Sequence, residues 1–226
     1  MNASSVLFDD AFGLDSDRVR PAPAWTTLVR RRVAGRFALD PFGLDPQLSD
    51  ACAPMLERAV RVDVEGGEHI PRVGPAVLMM NRGFGVVEPT ALSVAVVREV
   101  GRRARVTGAP LVPFLGTALR RFGAISSTAE DVHAALSSGN LVIVPMAATW
   151  LRGRAGTPPL ELLQSIMEFA VVPVAVRPGG PFGTAIAPWR VRVGPPVQLD
   201  PNVPAGDPLG AAELGEAVRR AVDNLL

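Results

Sequence analysis

The sequence predicts an α/β domain with a mostly parallel central sheet flanked by helices. Three continuous apolar runs carry that prediction: Ala76 to Met80, Leu141 to Val144 and Val171 to Val176. A strand covered on both faces loses the alternation of a half-exposed one and reads as an unbroken apolar run. Between these runs lie segments of helical spacing, and strands that alternate with helices are joined by right-handed crossovers into one layered sheet. At 226 residues the chain has the size of one domain with a core able to stand alone.

Taken in order, residues 1–24 are acidic at Asp9 and Asp10, then interrupted by proline, and show no period. They read as an N-terminal arm whose composition allows disorder. Acids stand where a secretion signal carries bases, so a cytoplasmic location is expected. Residues 25–59 read as an amphipathic helical lead-in: Trp25, Leu28, Val29, Val33 and Phe37 share helical spacing, while Arg30, Arg31 and Arg36 fall largely on other faces. Such a basic helix either lies in a membrane interface or packs on its own domain.

The α/β domain spans residues 60–226. Val60, Val62 and Val64 alternate with Arg61, Asp63 and Glu65, a half-buried strand that stops at Gly66 and Gly67. Thr90 to Val100 has a helical pattern, and Thr128 with Asp131 resembles a capping box opening a helix that ends near Ser138 and Gly139. Leu160 to Phe169 reads as a helix, Val171 to Val176 as a buried strand despite Pro173, and Trp189 to Val193 as another strand. Asp200 to Leu209 is a loop, and Ala211 to Leu226 is the closing helix.

Composition excludes several chemistries. All 23 basic side chains are arginine, and Tyr is absent. Without lysine there is no P-loop and no Schiff-base or pyridoxal-phosphate chemistry. Two histidines and one cysteine, Cys52, cannot build a zinc site of the usual His and Cys type, so no metal is expected. A net charge of +1 argues against a nucleic-acid partner. No apolar run reaches the eighteen or so residues of a membrane span.

The segment Asn81 to Pro89 follows a buried strand and precedes a helix, where α/β folds place active sites. Its Gly83 and Gly85 invite a dinucleotide reading, hence a nucleotide-binding oxidoreductase as one alternative. Glu88 opposes it, because a carboxylate at a helix start would repel a pyrophosphate. His69 lies in a connecting stretch and His133 in the Thr128 helix, while Ser126 and Ser127 lack the glycine-flanked elbow of a serine hydrolase.

A wider pattern runs through about two thirds of the chain. Val64 to Pro71 is followed by Gly74 to Asn81, then by Val112-Pro113-Phe114-Leu115-Gly116 with Phe122-Gly123. After these come Leu141 to Pro145, and finally Val172-Pro173-Val174 with Val193-Gly194-Pro195-Pro196. In that order the chain resembles the PlsC-type glycerolipid acyltransferases, the lysophosphatidic acid acyltransferase family. Upstream, Asp40 to Pro46 resembles the lead-in of an actinobacterial branch. The resemblance implies an α/β fold that carries acyl groups from a thioester of coenzyme A or acyl carrier protein to a glycerol hydroxyl, at the inner membrane face and with no cofactor.

The departures from the family pattern fall where its chemistry resides. The family uses a His after the Asn as general base and an Asp to orient it; here Arg82 takes the His position, and Glu88 lies about one residue out of register. A guanidinium stays protonated and has no acceptor, so Arg82 cannot take a proton. Met146 and Ala147 replace the Glu and Gly of the third motif, and Ser127 and Thr128 stand where the second motif ends in Arg. The expectation is an acyltransferase-like protein with impaired catalysis that binds lipid, an acyl thioester or a protein partner. An active transferase with a relocated group is the alternative. Asn81, Arg82, Glu88, Thr128, Arg152 and Arg154 are the candidate ligand residues. An ion pair between Arg82 and Glu88 is expected in place of the dyad.

Overall fold

The computed structural model describes residues 17–21, 25–35, 39–81, 87–108, 115–146, 157–179, 188–198 and 203–226. Two helices, α1 (Trp25–Val33) and α2 (Pro46–Ala59), precede strand β1 (Val62–Glu65). Then follow β2 (Ala76–Met80), α3 (Val87–Val100), β3 (Ala104–Thr107), α4 (Leu115–Arg121), β4 (Ala124–Ile125) and α5 (Ala129–Ser137). The chain closes with β5 (Leu141–Pro145), α6 (Leu160–Ile166), β6 (Ala170–Arg177), β7 (Trp189–Val193) and α7 (Pro208–Leu225).

These strands form one sheet in the order β1-β7-β6-β2-β5-β3-β4. The three apolar runs of the sequence are its central strands β6, β2 and β5, paired in parallel. α3 covers one face over Leu78, Met80, Ile143 and Val174, while α5, α6 and α7 cover the other over Val77, Met79 and Val142. β7 runs antiparallel to β6, and β1 runs with β7. One rim of the sheet therefore holds the C-terminal ends of β2, β5 and β6 together with the N-terminal ends of β7 and β1.

Pro173 fits a central strand because β7 has already peeled away there. The β6–β7 ladder ends at Val174 opposite Val193, and the Pro173 carbonyl accepts from Gly194 N at 2.9 Å. The missing proline N–H thus faces the departing chain rather than a paired strand. Thr128 caps α5, its hydroxyl accepting from Asp131 N at 3.3 Å. α3 begins three residues earlier than Thr90, which brings Glu88 into its first turn. α7 likewise starts inside the expected loop, at Pro208 after the Asp207 cap. The helical lead-in holds two helices, α1 and α2, and Ala34 and Gly35 turn the chain after Val33, with Gly35 at φ 65°.

Three ion pairs, two of them buried on both sides, fasten the segment before β1 to the start of β3. Arg102 Nε donates to Asp17 Oδ2 at 2.6 Å, Arg103 pairs with Asp50, and Arg105 pairs with Asp40. Arg102 also gathers the loops at the opposite rim, before β2 and β5, donating to the carbonyls of Pro71, Gly74 and Gly139 at 3.1, 2.8 and 2.9 Å. Asp40 Oδ1 accepts from the amides of Phe42 and Leu44 at 3.0 and 2.9 Å, so the Asp40 to Pro46 stretch is a turn closed on its own carboxylate. Arg105 also donates from Nε to Asn140 Oδ1 at 3.2 Å and lies over the Phe42 ring at 5.5 Å. Burial pushes the Arg105 guanidinium below its ordinary pKa, against the upward pull of the Asp40 carboxylate.

Candidate functional site

Asn81 leaves β2 at the C-terminal rim, and its side chain extends the ladder to β6. Its amide nitrogen donates to Val176 O at 2.9 Å, and its Oδ1 accepts from Val176 N at 2.6 Å. Asn81 N adds a bond to Val174 O at 3.3 Å. Both ends of the side chain are thus engaged by main chain, which locks the tip of β6 to the tip of β2.

Glu88 enters the same rim from α3. It is 7% exposed, and among the described residues its Oε2 is buried without a hydrogen-bond partner. The other buried acids all have partners: Asp40 and Asp50 hold arginines, and Asp45 caps α2 by accepting from Leu48 N at 3.1 Å. A carboxylate in a first helical turn recovers roughly 0.3–1 kcal/mol from the helix dipole. A buried acceptor without a donor costs about 1–3 kcal/mol. The penalty is the larger, so Glu88→Gln is expected to raise stability by about 1 kcal/mol, read as a higher urea midpoint at unchanged slope. A lower midpoint would mean that the carboxylate has a donor.

The other sequence candidates are dispersed. Thr128 lies on the same rim but follows β4, three strand positions from β2 and so about 14 Å away. Met146, in the place of the family acid, is fully buried, and its amide donates to Met80 O at 2.8 Å. Arg82, Ala147, Arg152 and Arg154 lie outside the described residues, and with them the expected ion pair of Arg82 with Glu88. Neither histidine stands at this rim. His69 lies in the helical turn after β1, whose C-terminal end is at the opposite rim. His133 on α5 faces the residues leading into β6: Glu168 Oε1 is 3.6 Å from its Nε2, and the Phe169 ring packs edge-on at 5.7 Å. Among the described residues no group of three or more His, Cys, Asp or Glu could hold a metal ion.

Two features escape sequence reasoning. An open groove of about 520 Å³ runs between α2, β1 and α3, with Val60, Val62, Val94 and Val97 beside two basic residues, Arg61 and Arg98, and two acidic ones, Glu57 and Asp63. At the rim itself Arg177 ends β6 directly opposite Arg190 of β7. Only the strand register brings those two arginines together.

The solved structure of the 1-acyl-sn-glycerophosphate acyltransferase PlsC from Thermotoga maritima superposes on this arrangement with a TM-score of 0.51, covering 78% of this chain and 81% of that one. This is an acyltransferase-like fold. At 15% identity the likeness extends to the fold alone. No family model matches the sequence. Similar proteins include an uncharacterized protein of Mycobacterium tuberculosis H37Rv, 26% identical over 268 aligned positions that cover 93% of this chain and 75% of the relative. An uncharacterized protein of Mycobacterium leprae is 31% identical over 140 positions, 57% of this chain and 38% of its own length. These relatives are mycobacterial, which agrees with an actinobacterial character of the chain.

Proposed function

We propose that this chain is an acyltransferase-like protein of impaired catalysis that binds a lipid or acyl ligand at the inner membrane face. The observation that carries the reading is the position of its two imidazoles: both lie away from the rim where Asn81 and Glu88 stand. Proton abstraction by histidine, the chemistry that the family resemblance implies, has no agent there. The groove beside β1 supports an acyl ligand, since its valines suit an acyl chain, while Arg61 and Arg98 are matched there by Glu57 and Asp63.

Helix α1 supports membrane attachment. Leu28 is its buried residue at 4% exposure, whereas Trp25, Val29 and Val33 are 52%, 57% and 85% exposed. At 100° per residue these three form a stripe about 80° wide, with Arg32 just beyond one edge and Arg30 beyond the other. No acid occurs in the helix. An apolar stripe bordered by cations suits an anionic lipid interface. None of the described helices is long and apolar enough to cross a membrane.

The test sets two assays side by side on one preparation. Acyl thioester consumption with lysophospholipid acceptors should stay at the buffer rate, while sedimentation with anionic vesicles should be strong at low salt and fall as salt rises. Each basic residue at an anionic surface contributes about 1 kcal/mol, so binding should be reversible. The variant Trp25→Ala/Val29→Ser/Val33→Ser should lose vesicle binding at unchanged stability. Substitution is preferable to truncation, because Asp17 is paired with Arg102.

One observation favours the second reading, an active transferase with a relocated base. Glu88 Oε2 is a buried acceptor at the rim with no donor among the described residues. It would take the proton of an acceptor hydroxyl, the oxygen would attack the thioester carbonyl, and the thiolate would leave with that proton. Thioester turnover that Glu88→Gln abolishes would establish this reading in place of the first.

A further inference from the structure

We propose that Arg177 and Arg190 form an anion subsite that takes a phosphate monoester at the C-terminal rim, on the sheet face opposite α3. The register sets them directly across from each other on β6 and β7. Directly opposed residues of antiparallel strands have Cβ atoms about 4.5–5.5 Å apart, and like charges in that position destabilise the sheet. Both side chains leave on the same face, since Val176, Trp189 and Val191 beside them enter the core under α3.

Two residues along β7 on the same face, Arg192 shows what a structural arginine does in this sheet. It donates to Glu65 Oε2 at 2.8 Å and to Leu225 O at 3.3 Å. Arg177 and Arg190, both exposed, have no comparable bond or ion pair among the described residues. Asp63 on β1 closes the same rung beside Arg190 without forming an ion pair with either arginine. Two cations therefore face one flanking acid, and the fold pays electrostatic repulsion for no visible structural return.

The backbone that carries the pair is fixed. Asn81 clasps both polar groups of Val176, the residue before Arg177. Trp189 N, just before Arg190, donates to Arg61 O at 2.7 Å. From that fixed backbone two guanidiniums can reach one anion, and the planar fork of each matches phosphate oxygens in bidentate fashion. A monoester, with close to two negative charges at neutral pH, offsets both cations where a carboxylate offsets one. The rim is also where open α/β sheets bind ligands, outside the carboxyl ends of their strands. The subsite does not depend on α1, on the groove beside β1 or on turnover. It serves a phosphorylated lipid head or a free phosphate monoester equally.

The experiment is calorimetric titration of the full chain with inorganic phosphate and with glycerol 3-phosphate, beside thermal melts. Binding should weaken about tenfold in Arg177→Gln and again in Arg177→Gln/Arg190→Gln, because each removes charge-assisted hydrogen bonds. Arg177→Lys should retain part of the affinity, as a point charge without the fork. Melts without phosphate should show the double variant at least as stable as the parent, which separates lost binding from lost fold. Phosphate binding that is absent in the parent, or unchanged in the double variant, overturns the proposal. Where the pair binds phosphate, vesicles of phosphatidic acid in phosphatidylcholine assign the source. In the Trp25→Ala/Val29→Ser/Val33→Ser background, sedimentation that needs the pair assigns the lipid head, and sedimentation absent or indifferent to the pair assigns the free monoester. Failure of α1 to bind vesicles leaves the phosphate result untouched, so the two readings fail separately.

Discussion

Arg105→Ala is expected to destabilise the protein by about 3–5 kcal/mol, because it strands the buried Asp40 carboxylate without its cation. Arg105 is 2% exposed and Asp40 6%, so water cannot replace the lost partner. The substitution also removes the bond to Asn140 and the cation over Phe42. Asp40→Ala should cost a similar amount by leaving Arg105 unpaired and freeing the amides of Phe42 and Leu44. A double replacement by apolar residues of matching volume should recover much of the loss, since a buried pair is costly to break but often cheap to replace. Denaturant unfolding of the four proteins forms the cycle that isolates the pair. A loss below about 1 kcal/mol for either single change would mean that the pair is solvated, as exposed ion pairs are. Limited proteolysis adds a second readout, because the Asp40 turn should open to cleavage first.

That pair also explains why β3 was not legible in the sequence. Ala104-Arg105-Val106-Thr107 places a charge inside a strand, and Arg105 is tolerated there only because Asp40, sixty-five residues upstream, meets it. Periodicity cannot see such a partner. β4 is two residues long and carries no period at all. β2, β5 and β6 were legible for the opposite reason: burial on both faces writes a continuous apolar run into the chain. The places of Asn81 just after a buried strand and of Glu88 close to a helix start were legible too. What the sequence could not convey was which strand reverses. Trp189 to Val193 reads as a strand in either direction, and only its antiparallel pairing with β6 brings Arg190 to Arg177 and turns the N-terminal end of β1 toward the rim. Asn81 shows the same limit at the level of one side chain. The resemblance picks it out as a residue next to the chemistry, whereas its bonds to Val176 belong to the sheet.

Asn81→Ala is therefore expected to cost about 2–6 kcal/mol, the sum over two buried main-chain groups of Val176 that lose their partners. Val176 is 1% exposed, so neither its N–H nor its C=O gains water in exchange. Asn81→Asp sharpens the test. The aspartate can still accept from Val176 N, but it has no donor for Val176 O and sets a carboxylate oxygen against a carbonyl. It should be at least as destabilising as alanine despite its near-identical shape. Hydrogen exchange supplies the local readout: the Val176 amide should lose protection in both variants, while the amides at the centre of β2 keep theirs. Because Arg177 follows Val176, loosening this tip should also weaken phosphate binding while both arginines remain in the sequence. If Asn81→Ala leaves stability and Val176 exchange unchanged but abolishes ligand binding, the asparagine is a ligand residue rather than the clasp that holds β6 to β2.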